Sequence, residues 1–288
     1  MYPANYYALF PAFPRVSSVF VAMSFDSRFV PRWENVIKPA IQSISIRDMQ
    51  LNPLRVDARV VGDSILTEIL QGIGLAQVVF ADITSIGSLD GRPTRNGNVM
   101  YEVGIAHAVR LPEEVLLFRS DNDSLLFDTA NVRVNSYNPD ENPEESKHAV
   151  AEAIRQALRE VDLRRHLAVR AAADALDYPS FELLAECKAA ADLMHPKRKT
   201  MGDTLAAISR ESAIQRLLMS GLLRAKPYLP SEADLQTFMD GPASSIIRYE
   251  ITGFGAAVLL EVSTRFDLGR MQEFVESQFD GKAERPGT

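Results

Sequence analysis

The sequence predicts an α/β protein built on a doubly wound parallel sheet, followed by a smaller, mostly helical domain. Three observations carry this reading. Short apolar runs recur through the first half, Val19–Met23 closed by Ser24-Phe25-Asp26 and Val78–Phe80 closed by Asp82 among them. The stretches between these runs carry apolar residues at helical spacing. Beyond Tyr178-Pro179 the composition changes and helical periodicity dominates. Strands that alternate with helices bury both faces of a parallel sheet, the flavodoxin/Rossmann-like arrangement.

The elements follow in order. After the first strand, Trp33, Ile37, Ile41 and Ile44 mark a helix. Leu54–Asp57 reads as a weaker strand, and Asp63 as the cap of a helix through Ile65, Ile69 and Ile73. The strand at 78–83 leads through a loop into a helix around Glu102, and strands follow at Glu114–Arg119 and Val132–Tyr137. Asn138–Pro143 is turn-like and precedes a helix from about Glu144 to Arg165. In the second half, Leu205, Ile208, Ile214, Leu217, Leu218 and Leu222 predict two short helices with a tight break near Arg210. A short strand, Arg248–Thr252, and a helix, Gly253–Val262, come next. Helix, turn, helix, loop and strand is the order of a winged helix-turn-helix. The expected organisation is a domain over 1–165, a winged helix-turn-helix over 179–265 and a flexible tail over 266–288.

Composition narrows the class. The chain has 288 residues, 46% apolar and 24% charged, which is a globular balance. No apolar run is long enough to span a bilayer, and the first fifteen residues lack the basic start of an export signal. Cys187 is the single cysteine, which excludes an internal disulfide or a multi-cysteine zinc site and suits a reducing cytoplasm. A net charge of −7 argues against wholesale nucleic-acid coating. Locally, however, His195–Lys226 holds seven Lys/Arg against Asp203 and Glu211.

The candidate site lies where the strand at 78–83 hands over to a helix, because open α/β sheets take ligands beyond the carboxyl ends of their strands. That helix opens on Asn96-Gly97-Asn98-Val99-Met100-Tyr101-Glu102. Glu102 is the candidate catalytic carboxylate, expected to be held ionised by the positive end of the helix dipole. An ionised carboxylate there suits attack on, or stabilisation of, a sugar carbon that turns cationic as a glycosidic bond breaks. Asn98 lies four residues before Glu102 and Tyr101 three after Asn98, so the three share a face. Val99, Val103 and Ala106 face the sheet. Ser24, Phe25 and Asp82 complete the candidate substrate-binding set, Asp82 reading equally as a ligand-contacting acid or as the cap of the next loop, and Phe25 as a surface for base stacking or as a core residue. A Gly-rich dinucleotide loop is absent, so no bound cofactor is expected. The four histidines are scattered and are assigned neither a catalytic nor a metal role.

These residues carry a resemblance. Val19–Asp26, Asp57, Gly62-Asp63-Ser64-Ile65, Val78–Thr84, Asn98–Ala108 and Phe127–Tyr137 together resemble the nucleoside 2-deoxyribosyltransferase-like superfamily, in its TIR-like branch, over about residues 17–140. The resemblance implies that Glu102 acts on the anomeric carbon as nucleophile or cation stabiliser. Known transferases carry an aspartate six residues before that glutamate, followed by Gly-Thr. This chain has Asn96, then Gly97-Asn98. That departure speaks against orthodox base exchange; TIR-like relatives instead cleave the nicotinamide bond of NAD, which the departure does not exclude, and the resemblance implies NAD as substrate. Nucleoside transfer or nucleotide hydrolysis is the first alternative; a nucleotide-sensing, DNA-binding regulator without turnover is the second.

In the second half, Ile214, Leu217 and Leu218 face inward, which turns Ser212, Gln215, Arg216 and Met219 outward on the helix that would enter a major groove. Lys197, Arg198, Lys199, Arg224 and Lys226 are candidate phosphate contacts. Gln215, Arg216 and Lys226 are therefore the expected nucleic-acid or partner-binding residues. A protein-protein or dimerisation role, including a homo-oligomer, stays open for this half. A deoxyribosyltransferase-like domain joined to a C-terminal winged helix is similar to retron-associated antiphage effectors. That likeness implies a toxic role in phage defence, with a reverse transcriptase and its RNA–DNA product as partner.

Overall fold

Five parallel strands form the sheet that positions the site: β1 (Ser18–Ala22), β2 (Asn52–Leu54), β3 (Val78–Asp82), β4 (Val115–Arg119) and β5 (Val134–Ser136). The structure is a computed structural model and describes residue 11 and residues 14–46, 48–56, 65–125, 132–189, 201–228 and 246–266. It divides into two compact units, Met1–Arg165 and His166–Thr288. The strand order is β2-β1-β3-β4-β5, every neighbouring pair parallel. This is the order of flavodoxin-like sheets, and it reverses direction between β1 and β3.

Alternation along the strands explains why both faces are covered. Val19 and Val21 of β1, with Val78 and Phe80 of β3, join one apolar layer; Phe20, Ala22, Val79 and Ala81 join the other. The first layer is closed by α1 (Val30–Gln42) through Val36, Ile37, Ala40 and Ile41 and by α4 (Pro143–Asp174) through Val150, Ala151, Ile154 and Ala157. The second is closed by α2 (Ile65–Leu75) through Ile73 and by α3 (Gly97–Val109) through Val99, Val103, Ala106 and Val109. The inward face expected of the Glu102 helix is the one observed.

The helix α1 runs from Val30 to Gln42, with a π-helical stretch, Trp33–Ile37, in its middle. Its cause is local. Pro39 has no N–H and its ring crowds the carbonyl one turn back, so the Lys38 N–H bonds to Trp33 O, five residues behind. At the amino edge of the sheet the fully buried Arg110 satisfies the end of α2. It donates to the carbonyls of Ile73 (2.8 Å), Ala76 (2.7 Å) and Gln77 (2.6 Å) and pairs with Glu114 at 2.9 Å.

Three features of the first unit depart from expectation, the first being that the strand expected at Leu54–Asp57 lies at Asn52–Leu54. The Glu144 helix continues to Asp174 instead of ending near Arg165. Between β3 and α3 lies a hairpin, Ser85–Leu89 with Arg92–Arg95. It turns on Asp90-Gly91, both at positive φ (51° and 73°), the geometry of a tight two-residue loop. Asp57, Asp63, Lys197, Arg198, Lys199 and the 267–288 segment lie outside the described residues.

In the second unit, α5 (Tyr178–Ala189) and α6 (Met201–Met219) precede an antiparallel pair, β6 (Leu223–Tyr228) and β7 (Ile246–Ile251), and then α7 (Gly253–Arg265). The break expected near Arg210 does not occur: α6 is one helix, because Ser209-Arg210-Glu211 contains neither glycine nor proline to interrupt it. It ends at Gly221, whose φ of 71° allows the Leu222 N–H to reach back to Leu217 O at 2.9 Å. Thr252 caps α7 through its hydroxyl, 3.0 Å from the Gly255 N–H. No helix among the described residues is long and apolar enough to cross a membrane.

Candidate active site

The site is assembled from the carboxyl ends of β1 and β3 and the start of α3, which meet where the strand order reverses. Asn96 joins them. Its Oδ1 accepts from the N–H groups of Asn98 (3.0 Å) and Val99 (3.3 Å), and its Nδ2 donates to Ser24 Oγ at 3.3 Å. Ser24 Oγ also accepts from the Asp26 N–H at 3.2 Å, so the turn after β1 and the start of α3 are fixed to one another. The sequence carried the signal for this cap, an Asn-Gly pair ahead of an apolar-periodic run.

Glu102 lies in the second turn of α3, at the same edge as Ser24 and Asp82. Its carboxyl is not held ionised as expected. Burial pushes its pKa up to about 7, and the Arg55 guanidinium opposes that rise only in part. The helix dipole acts mainly within the first turn, where Asn96 already satisfies two amides, so at Glu102 desolvation wins. A carboxyl that titrates near neutrality is able to hold or release a proton at working pH.

Arg55 follows β2 and was not singled out by any sequence motif. Its guanidinium sits 3.8 Å from the centroid of the Phe25 ring and 5.5 Å from that of Trp33, and donates to the Ser24 carbonyl at 3.1 Å. Phe25 is 42% exposed, so it is available at the rim and is not a core residue. Asn98 is exposed and Tyr101 is 59% exposed on the outer side of α3, while Glu102 beside them is half-buried.

Of the two readings of Asp82, ligand-contacting acid or cap of the next loop, the structure supports the cap, and the pocket-acid reading is corrected. Asp82 is 2% exposed, and both oxygens are engaged by the fold. Oδ1 accepts from the Thr84 N–H at 3.0 Å and from the Thr84 hydroxyl; Oδ2 accepts from the Tyr137 hydroxyl at 2.7 Å and lies 3.5 Å from Arg32. Arg32 in turn pairs with Asp140 through Nε at 3.0 Å. Burial and the neighbouring Asp82 charge raise the Tyr137 pKa well above its usual value, so its hydroxyl stays a donor. A second cluster locks the hairpin: buried Arg95 donates to the Ile83 carbonyl and to Asp121, whose Oδ2 accepts from the Ser85 N–H at 2.8 Å. Those bonds hold the Asp121 carboxyl below its usual range against the burial that would raise it. Among the described residues no three His, Cys, Asp or Glu gather as a metal site.

In the second unit Ile214 and Leu217 are buried while Ser212, Gln215, Arg216 and Met219 are exposed, as their spacing predicts; Leu218, also expected inward, is half-buried. The charges are less available than the sequence suggested. Arg216 lies 2.8 Å from Asp177, and Lys226 and Arg224 each lie 2.8 Å from Glu250. Gln215 Nε2 is 3.4 Å from Glu211 Oε1.

No family model matches the chain, and a search of characterised proteins returns no match. Among solved structures, the metal-soaked Flv1 flavodiiron core from Synechocystis sp. PCC6803 aligns with a TM-score of 0.34 and 12% identity, over 51% of this chain and 36% of that one. The chain thus spans little more than a third of that structure's length. The class defined by topology is an α/β protein with a five-stranded parallel sheet flanked by helices.

Proposed function

We propose that the first unit cleaves the N-glycosidic bond of a nucleotide, NAD foremost, with Glu102 as the catalytic carboxylate. The observation that carries this is a half-buried glutamate with a pKa near 7, beside an arginine stacked on an aromatic ring, at the sheet's reversal point. As the bond from C1′ to the nicotinamide nitrogen breaks, its electron pair leaves with neutral nicotinamide and positive charge develops on the ribose. The Glu102 carboxylate stabilises that charge or adds to C1′. Water then supplies hydroxide to C1′ and releases a proton, so NAD and water give ADP-ribose, nicotinamide and a proton. Asn98, on the same helix, would meet a ribose hydroxyl; Phe25 and Tyr101 line the rim, while the buried Ser24 ties the turn after β1 to α3. Asp82 acts at a distance, by holding the edge of the sheet.

The second unit is read as a winged helix-turn-helix that tethers or restrains this activity, with α6 presenting Gln215 and Arg216 and the β6–β7 ribbon carrying Lys226 as its wing. The exposed side of α6 supports this, and the resemblance to retron-associated effectors supplies the partner: a reverse transcriptase with its RNA–DNA product, in antiphage defence. Incubation of the full chain with NAD and, separately, with pairs of deoxynucleosides and bases tests the reading. Free nicotinamide is expected. Base exchange would replace it with transferase activity, and binding without turnover would replace it with a sensor.

A further inference from the structure

The geometry points to Arg55 as the residue that selects a 5′-phosphorylated substrate over the free nucleoside. This inference rests on the glycosidase reading of the same site. Arg55 sits just beyond β2, its guanidinium over the Phe25 ring at 3.8 Å from the centroid, with the Trp33 centroid at 5.5 Å and the Ser24 carbonyl at 3.1 Å. A guanidinium fixed in this way keeps its charge, is weakly hydrated and presents its N–H edge in a defined plane, the form in which arginine grips phosphate with two bonds. Its field reaches Glu102. The 5′-phosphate is carried by the same sugar as the reacting carbon, so a cation beside the catalytic carboxylate is placed to meet it.

Among the described residues, other groups at this edge make bonds of their own, as Arg55 does with the Ser24 carbonyl. In the first turn of α3 the N–H groups of Asn98 and Val99 bond to Asn96 Oδ1. Arg28 pairs with Asp26 at 2.8 Å, Arg32 with Asp140 and Asp82, and Arg95 with Asp121 at 3.2 Å. Arg55 is distinguished by its stack on the exposed Phe25 and by its action on Glu102.

Nicotinamide mononucleotide and nicotinamide riboside share the scissile bond and leaving group and differ only in the phosphate. Their kcat/KM ratio is the readout, in wild type, Arg55→Met and Arg55→Lys. Wild type is expected to favour the mononucleotide by about 30-fold or more, a size typical of a charge-assisted bidentate contact. Arg55→Met is expected to lower kcat/KM for the mononucleotide at least about tenfold more than for the riboside, and Arg55→Lys to fall between, since lysine keeps the charge without the fork. Equal losses on both substrates, or an unchanged ratio, would overturn the inference. If Arg55→Met does not fold, the ratio in Arg55→Lys decides. Calorimetry on Glu102→Gln protein, with and without Arg55→Lys, separates this inference from the reading beneath it. Arg55-dependent preference for binding the mononucleotide without any cleavage by wild type would keep the inference and remove the glycosidase. Glu102-dependent cleavage without phosphate preference would do the reverse. Neither binding nor cleavage would overturn both.

Discussion

Asn96 Nδ2 donates to Ser24 Oγ across 3.3 Å, tying residues 72 positions apart, while Oδ1 of the same side chain caps α3. One amide therefore aligns the end of β1 with the helix that carries Glu102. An aspartate would keep the cap, since Asp and Asn serve almost equally there, whereas alanine would lose it. Asn96→Ala is expected to cost about 1 kcal/mol of stability in urea titration, and Asn96→Asp less than about 0.5 kcal/mol. Equal stability for all three proteins would mean that the cap does not hold this junction.

The Tyr137–Asp82–Arg32 cluster assigns Asp82 to the fold. Asp82→Ala leaves the buried Arg32 and Tyr137 groups short of an acceptor and is expected to destabilise by about 3–5 kcal/mol. Tyr137→Phe removes one bond to a charged acceptor and is expected to cost about 1–3 kcal/mol. Chemical denaturation checks both. A stable Asp82→Ala protein that had lost only ligand binding would return Asp82 to the pocket.

Glu102 links stability to pH. Its carboxyl titrates near 7 in the folded chain and near 4.5 when unfolded, so between these values the folded state holds more protons. Stability contributed by this group is complete below pH 4.5 and is lost as pH rises through 7. Glu102→Gln removes the cost of ionising a buried carboxylate. It is expected to stabilise the protein above pH 7 by about 2 kcal/mol, allowing for partial solvation, and to change little at pH 4. Melting curves at the two pH values decide. A destabilised Gln variant at high pH would place Glu102 in a charged pairing instead.

If the second unit meets nucleic acid through its ribbon, Glu250 competes with the phosphates. It engages both Arg224 and Lys226, and those bonds hold its carboxyl below the usual range. Glu250→Gln is expected to tighten binding to an RNA–DNA duplex several-fold, with a steeper dependence on salt, while Arg216→Glu with Lys226→Glu weakens it. Fluorescence anisotropy across a salt series provides the test. Affinity indifferent to these changes and to salt would make the unit a protein-protein or dimerisation module.

Much of the fold was legible because it rests on periodicity. The apolar runs Val19–Ala22 and Val78–Ala81 and the helical spacing of Val99, Val103 and Ala106 are local; the runs are buried strands, and the three helix residues pack on the expected face. What escaped depends on contacts distant in sequence or on lengths that no punctuation sets. The Asp82 network needs Tyr137, 55 residues away, and nothing near Asp82 announces it. Arg55 reaches Phe25 only once β2 lies beside β1. The titration of Glu102 was misjudged because dipole position is readable from a sequence, whereas desolvation is set by the packed surroundings. The unbroken α6 shows the limit of inferring a turn from a lapse in apolar spacing.

The most direct measurement is the initial rate of nicotinamide release from NAD by purified wild-type chain and by Glu102→Gln, followed from pH 5 to 9. The wild-type kcat/KM is expected to climb about tenfold per pH unit up to roughly pH 7 and then level, as Glu102 ionises. The Gln variant is expected to be slower by about a thousandfold or more throughout. Release by the Gln variant at the wild-type rate, or a wild-type protein that leaves NAD and other nucleotides intact across that range, would contradict the assignment of Glu102 as a glycosidic catalyst.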